Sequence, residues 1–377
     1  MAERREGANS RQRPMPSDLT KDDSMVIKGV AILAMMWHHC FLPNRFESYD
    51  LVFSPLGVGR VVNIAGFFKI CVSLFAFVSG YGLYCSLKGS ESREFRTGKW
   101  YLIRYLKTFS DYWPIVILLC TAGQLINGGA SAAYMHGSIF NGVVNFILDL
   151  LGLAAFFKSP QFIGTWWYMS TALVYIILAP FLYLFIRRFG SAPLVIITMI
   201  VPRLFYAGCP GATHTLSFLM AFVMGMTCAD LKPIQRLKTW SEKNRKREVL
   251  LTIALLVLLV FCYKFDRRMT TKLYWDIKWG LFAAAYAIII AFTLSRIRFV
   301  RDVLMFFGRW SAHLYLIHTF FRAKYTASFV YGQGGHFLMV IVRLLAVSLL
   351  ACLLFRLFKR LTRYDDHVKK LIAWASK

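Results

Sequence analysis

VLLTIALLVLLVFCY (residues 249–263) and LMVIVRLLAVSLLACLLF (338–355) decide the fold class. Each is nearly unbroken hydrocarbon over about 15–18 residues, the length a helix needs to approach the thickness of a bilayer core. The rest of the 377-residue chain repeats the pattern: 57% of residues are hydrophobic, 16% are aromatic, and mean hydropathy is +0.51. Apolar runs can be drawn at 25–42, 70–86, 112–127, 165–186, 191–206, 214–230, 248–264, 279–295, 310–328 and 338–356. The expected architecture is an all-α polytopic membrane protein of about ten transmembrane helices. No polar segment is long enough for a second domain. Residues 1–24 read as a disordered cytoplasmic tail, 25–357 as one membrane domain and 358–377 as a cytoplasmic C-terminal tail. The first run follows a charge-balanced polar stretch without a cleavage-site pattern, so it reads as an uncleaved signal anchor.

The formal charge of +26 belongs to topology more than to nucleic acid. The cations are dispersed between apolar runs, as cytoplasmic loops require, and form no aromatic-interleaved patch. With both termini cytoplasmic, the inner loops hold Lys88 to Lys107, Arg187 and Arg188, and KPIQRLKTWSEKNRKRE (232–248). They also hold Arg296, Arg298 and Arg301. This assignment requires that 141–157, which contains Asp149, be a re-entrant or interfacial helix on the outer side. The loop 264–278, with Lys264, Arg267, Arg268 and Lys272, is the exception and faces outward. The eight cysteines include no CxxC pair and read as packing residues.

Chemistry-bearing residues inside apolar runs are the functional signal, because the bilayer makes them expensive. KGVAILAMMWHH (28–39) places Lys28 and His39 eleven residues apart. At about 100° per residue they return to within about 20° of one helix face, separated by about 16 Å. His38 lies off that face and reads as a neighbour. His39 suits a general base for a hydroxyl, or a transient acyl carrier. Lys28 suits a phosphate or thioester oxygen, or it snorkels to the membrane surface. Arg104 and Lys107 sit one turn apart, placed either for phosphates or as positive-inside anchors. Ser79 and Gly80, with Gly82, form a small-residue face fit for helix packing. Ser311, Tyr315 and His318 recur along another face, and His318 is either a second functional group or a hydrogen-bonded core residue. Arg343 needs a partner or a wet cavity. Tyr274, Trp275 and Trp279 suit sugar faces or, more simply, the interfacial belt. No glycine-rich nucleotide loop and no metal-ligand spacing occurs, so neither a bound cofactor nor a metal is expected.

Five stretches, taken in order, resemble the acyltransferase 3 family of integral membrane enzymes. They are KGVAILAMMWHH, FFKICVSLFAFVSGYGLY (67–84), RYLK (104–107), TWWYMSTALVYIILAPFLY (165–183) and GRWSAHLYLIHTFF (308–321). The resemblance implies O-acyl transfer, usually of acetyl from acetyl-CoA as co-substrate, to an extracytoplasmic glycan at the plasma membrane. It makes His39 the catalytic residue and Lys28, Arg104 and Lys107 donor-binding residues. Trp167 and Ser170 match a Trp-x-x-Ser that many members follow with glutamate; here Thr171 and Ala172 follow. Lys107 replaces an arginine, and Ser110 stands where a proline is usual. The rival readings are a transporter of an ion or lipid-linked sugar using the polar track, and a noncatalytic scaffold. The first lacks a detectable internal repeat, and the second has no need of intramembrane Lys, His and Arg.

Overall fold

The computed structural model describes residues 18–90 and 98–376, so most of the N-terminal tail, Arg93 and Arg96 lie outside the described residues. Every regular element described is a helix, and the one β-type contact is an isolated bridge between Val52 and His336. The main helices are α1 (Lys21–Phe41), α2 (Val58–Phe67), α3 (Ile70–Gly89), α4 (Lys99–Phe109), α5 (Tyr112–Asn127), α6 (Ile139–Leu150), α7 (Trp167–Phe189) and α8 (Ser191–Phe205). There follow α9 (Leu219–Leu231), α10 (Pro233–Ser241), α11 (Arg245–Arg268), α12 (Phe282–Phe292), α13 (Arg298–Thr319), α14 (Phe337–Leu361) and α15 (Tyr364–Ser376). The first begins inside the expected tail. Thr20 accepts a hydrogen bond from the Asp23 amide, and the Asp23 carboxylate accepts from the Thr20 amide, a reciprocal cap that starts the helix at Lys21.

Seven helical segments among the described residues are long and apolar enough to cross a membrane, or eight if α9 and α10 count as one span across their 54° bend. The ten runs drawn from the sequence are not reached on this measure. Helix α8 has 15 residues, a rise of only about 22 Å. Helix α13 carries Arg298, Arg301, Asp302 and Arg309 in its first 12 of 22 residues, which dilutes its hydropathy. Helix α6, at 12 residues, is shorter still; Ile139 and Phe140 are exposed along it while Asp149 is fully buried.

Two helix pairs form the frame. A methyl group at Gly29 would meet the Leu304 carbonyl, and one at Gly308 would meet that of Met25. Each contact falls four residues before the partner's own glycine. His39 meets His318 ten residues beyond each of those glycines, so α1 and α13 run parallel. Helices α3 and α9 repeat the arrangement three residues back, Gly80 against Phe222 and Gly225 against Phe77. Lipid tails are as apolar as leucine, so backbone-to-backbone contact of this kind supplies the van der Waals attraction that burial from water supplies elsewhere. Helix α3 returns antiparallel to α1: Tyr81 donates to Asp18, just before α1 begins, at 2.6 Å.

Polar contacts sort the connections into two ends. At the end where α1 starts, Lys238 pairs with Asp23 at 3.2 Å, Tyr84 donates to Asp230 at 2.6 Å, and Arg296 pairs with Glu248 at 2.7 Å. At the opposite end Arg203 pairs with Asp276 at 2.7 Å, Lys278 with Asp266 at 3.3 Å, and Gln333 donates to Asp50 at 2.8 Å. The basic run 232–248 therefore shares an end with the start of α1. The cationic loop 264–278 occupies the other end, where Asp266 and Asp276 offset part of its charge.

Candidate active site

Helices α1, α3, α4, α5, α7 and α13 border a cavity of about 330 Å³. Lys28 and His39 both line it, as their shared register requires, and Lys107, Ser79, Trp167, Ser311 and Tyr315 join them from four other helices. One space thus connects residues that the chain scatters over nearly 290 positions.

The geometry is sharpest at His39. Its Nδ1 lies 2.7 Å from His318 Nε2, and the rings are stacked with centroids 5.0 Å apart. The partners fix the proton positions. His318 Nδ1 faces the carbonyl oxygens of Leu314 and Tyr315 at 2.9 and 3.0 Å, and carbonyls only accept, so this nitrogen carries the hydrogen. In the neutral ring Nε2 is then the acceptor. His39 Nδ1–H donates to it, which leaves the lone pair of His39 on Nε2, the ring nitrogen without a partner among the described residues. Thr319 Oγ1 lies 3.1 Å from the same His318 nitrogen, and Thr165 donates to Thr319 at 3.1 Å. His318 is fully buried and does not line the cavity; it orients the residue that does.

His38 also borders the cavity, and its Nδ1 is 2.6 Å from the Ala65 carbonyl of α2. Trp37 Nε1 donates to the Val61 carbonyl of the same helix at 3.3 Å. The residues flanking His39 therefore fasten α2 to α1.

The remaining sequence candidates divide. Tyr315 donates to the Thr165 carbonyl at 2.7 Å and Ser311 to the Gly308 carbonyl at 2.8 Å, so both cavity residues are held by backbone. Lys107 reaches the cavity, but Arg104 does not: its guanidinium bonds the Ser86 hydroxyl and lies over the Trp100 ring. Ser170 is buried behind the wall, accepting from the Ala155 amide at 3.3 Å. Arg343 lies elsewhere, with Nη1 3.4 Å from the Tyr331 carbonyl. Trp275 is fully buried and Trp279 stacks on Phe218 at 5.4 Å, which makes both packing residues.

Three cavity features escaped the sequence reading. Lys69 lines the space with its ammonium over Trp167. Its signal was a lone cation inside an apolar run. Asp111 lines it too, accepting from His313 at 3.0 Å and Lys359 at 2.6 Å. Tyr112 is held from outside by Asp149, whose carboxylate also accepts from Tyr134, Gln161 and the Phe162 amide at 2.7–3.2 Å. That buried acid, set aside as a marginal span residue, buttresses the cavity wall.

Comparison with known proteins gives a family. The description "Acyltransferase domain" matches residues 24–357, nearly the whole chain. No curated protein and no solved structure matches it.

Proposed function

The chain belongs to this acyltransferase family, and on that premise we propose that it transfers an acyl group, typically acetyl, from acyl-CoA to a hydroxyl of a cell-surface carbohydrate. The observation that carries the reading is the His39–His318 pair inside a cavity that also contains Lys28 and Lys107. Acyl transfer to a hydroxyl needs a base where the hydroxyl arrives and cations where the donor's phosphates rest. Lys28 stands three helical turns from His39 toward the end of the bundle that gathers the 232–248 run, and Lys107 serves the same space. By the positive-inside rule that end faces the cytosol, where acyl-CoA is made. Both termini belong there as well.

In the proposed reaction His39 Nε2 takes the acceptor's hydroxyl proton as its oxygen attacks the thioester carbonyl. The carbon–sulfur bond then breaks, and the thiolate leaves with that proton as free CoA. The hydrogen bond to His318 keeps His39 Nδ1 protonated, so Nε2 is available at each turnover. Incubating membranes with acetyl-labelled acetyl-CoA tests the reading: label should appear on a surface polymer with release of free CoA. A transporter or scaffold would leave the thioester intact.

A further inference from the structure

Once a hydroxyl attacks a thioester, the carbonyl oxygen becomes an anion that must be met by a positive group already in place. His39 cannot be that group while it is accepting the proton. Lys28 stands three turns away along α1, about 16 Å by helical rise. Arg322 is buried but does not line the cavity.

Lys69 does line it. It occupies the turn between α2 and α3, where its amide donates to the Gly66 carbonyl at 3.2 Å and its own carbonyl accepts from the Val72 amide at 3.3 Å. The α2 segment just before that turn is fastened to α1 by Trp37 and His38, the two residues preceding His39. The backbone positions of Lys69 and His39 are therefore tied to each other through the end of α2 and the turn that follows it. The Lys69 ammonium lies 5.6 Å from the centre of the Trp167 ring and 5.8 Å from that of Phe218. Ring faces hold a cation without cancelling its charge. Among the described residues no carboxylate pairs with Lys69, and the cavity's acid, Asp111, is already taken by His313 and Lys359.

We propose that Lys69 is the oxyanion-stabilising residue of the transfer step, an inference that rests on the acyl-CoA reading above. As the acceptor oxygen bonds to the carbonyl carbon, the carbonyl electron pair moves onto oxygen and faces the ammonium. The pair returns as the carbon–sulfur bond breaks. Lys69 keeps its proton throughout.

The test uses the full-length protein in lipid nanodiscs with two CoA ketones, acetonyl-CoA and trifluoroacetonyl-CoA. The first mimics the bound thioester; the second hydrates readily and ionises toward the tetrahedral anion. Wild-type protein should bind the fluorinated ketone more tightly. Lys69→Met should abolish that preference while binding acetonyl-CoA as before, which also shows that the variant is folded. Lys69→Arg should restore part of it. In acetyl transfer, Lys69→Met should lower kcat on the order of 10²-fold with an unchanged KM for acetyl-CoA. The proposal is overturned if Lys69→Met keeps the wild-type preference, or if it loses both ketones together. It also falls if the wild type binds the two ketones alike. Wild-type protein that binds neither would remove the acyl-CoA premise itself, and this proposal with it.

Discussion

At the scale of single residues, His39 depends for its orientation on a second histidine that lies outside the cavity. His39→Ala should abolish transfer while the protein still accumulates in membranes, since in the proposed reaction Nε2 takes the proton. His318→Ala should lower kcat on the order of 10–10²-fold with little change in the KM for acyl-CoA, because His39 loses the acceptor that fixes its tautomer. His318→Gln, which keeps an acceptor oxygen, should lose less. Equal kcat values in His318→Ala and wild type would reduce the pair to packing. The donor side gives a different contrast. Lys107 lines the cavity and Arg104 faces Ser86, so Lys107→Ala should raise the KM for acyl-CoA by roughly 10-fold, and Arg104→Ala by much less. Residue spacing made Lys28 and His39 legible, since one helix carries both. It grouped Arg104 with Lys107 one turn apart, because spacing along α4 does not say which side faces α3. The His39–His318 bond was illegible for a plainer reason: 279 positions separate its ends.

At the scale of helices, the glycines separate packing from mere presence. Gly80 touches the Phe222 backbone, whereas a methyl group at Gly82 would meet nothing within 4 Å. Gly80→Val should therefore pry α3 from α9 and lower both the yield of monodisperse protein and its melting temperature in detergent. Gly82→Ala should leave both nearly unchanged. A melting temperature for Gly80→Val within a degree of wild type would show that the pair tolerates separation. The sequence marked a small-residue face on α3 but could not choose between these two glycines, because the choice belongs to the partner helix. Gly29, Gly225 and Gly308 gave no signal at all; only the crossing reveals their use. Helix α8 has a composition that suits a bilayer and only 15 residues, about 22 Å of rise, with which to cross it.

For the whole molecule, composition alone announced an all-helical membrane protein, because hydrocarbon-length runs have few other uses. Charge placement sorted the loops, and the contacts at the two ends follow the same division. A reporter that is active only outside the cytosol, fused to the C-terminus, should stay silent, while the same reporter placed after Asn127 should respond. A signal from the C-terminal fusion would reverse the assignment of the ends. The parallel pairing of α1 with α13 has a consequence for how the protein is made. The ribosome delivers His39 early and His318 279 residues later, an interval of roughly 14–56 s at ordinary synthesis rates. Until α13 enters the membrane, the groove along α1 lacks one wall and His39 lacks the partner that holds its Nδ1 proton. If the proposed reaction holds, a nascent chain is therefore inert toward the donor around it. Two fragments cut between α12 and α13, co-expressed, would gain activity only on meeting in the bilayer, which makes the last fifth of the chain the switch that starts the proposed reaction.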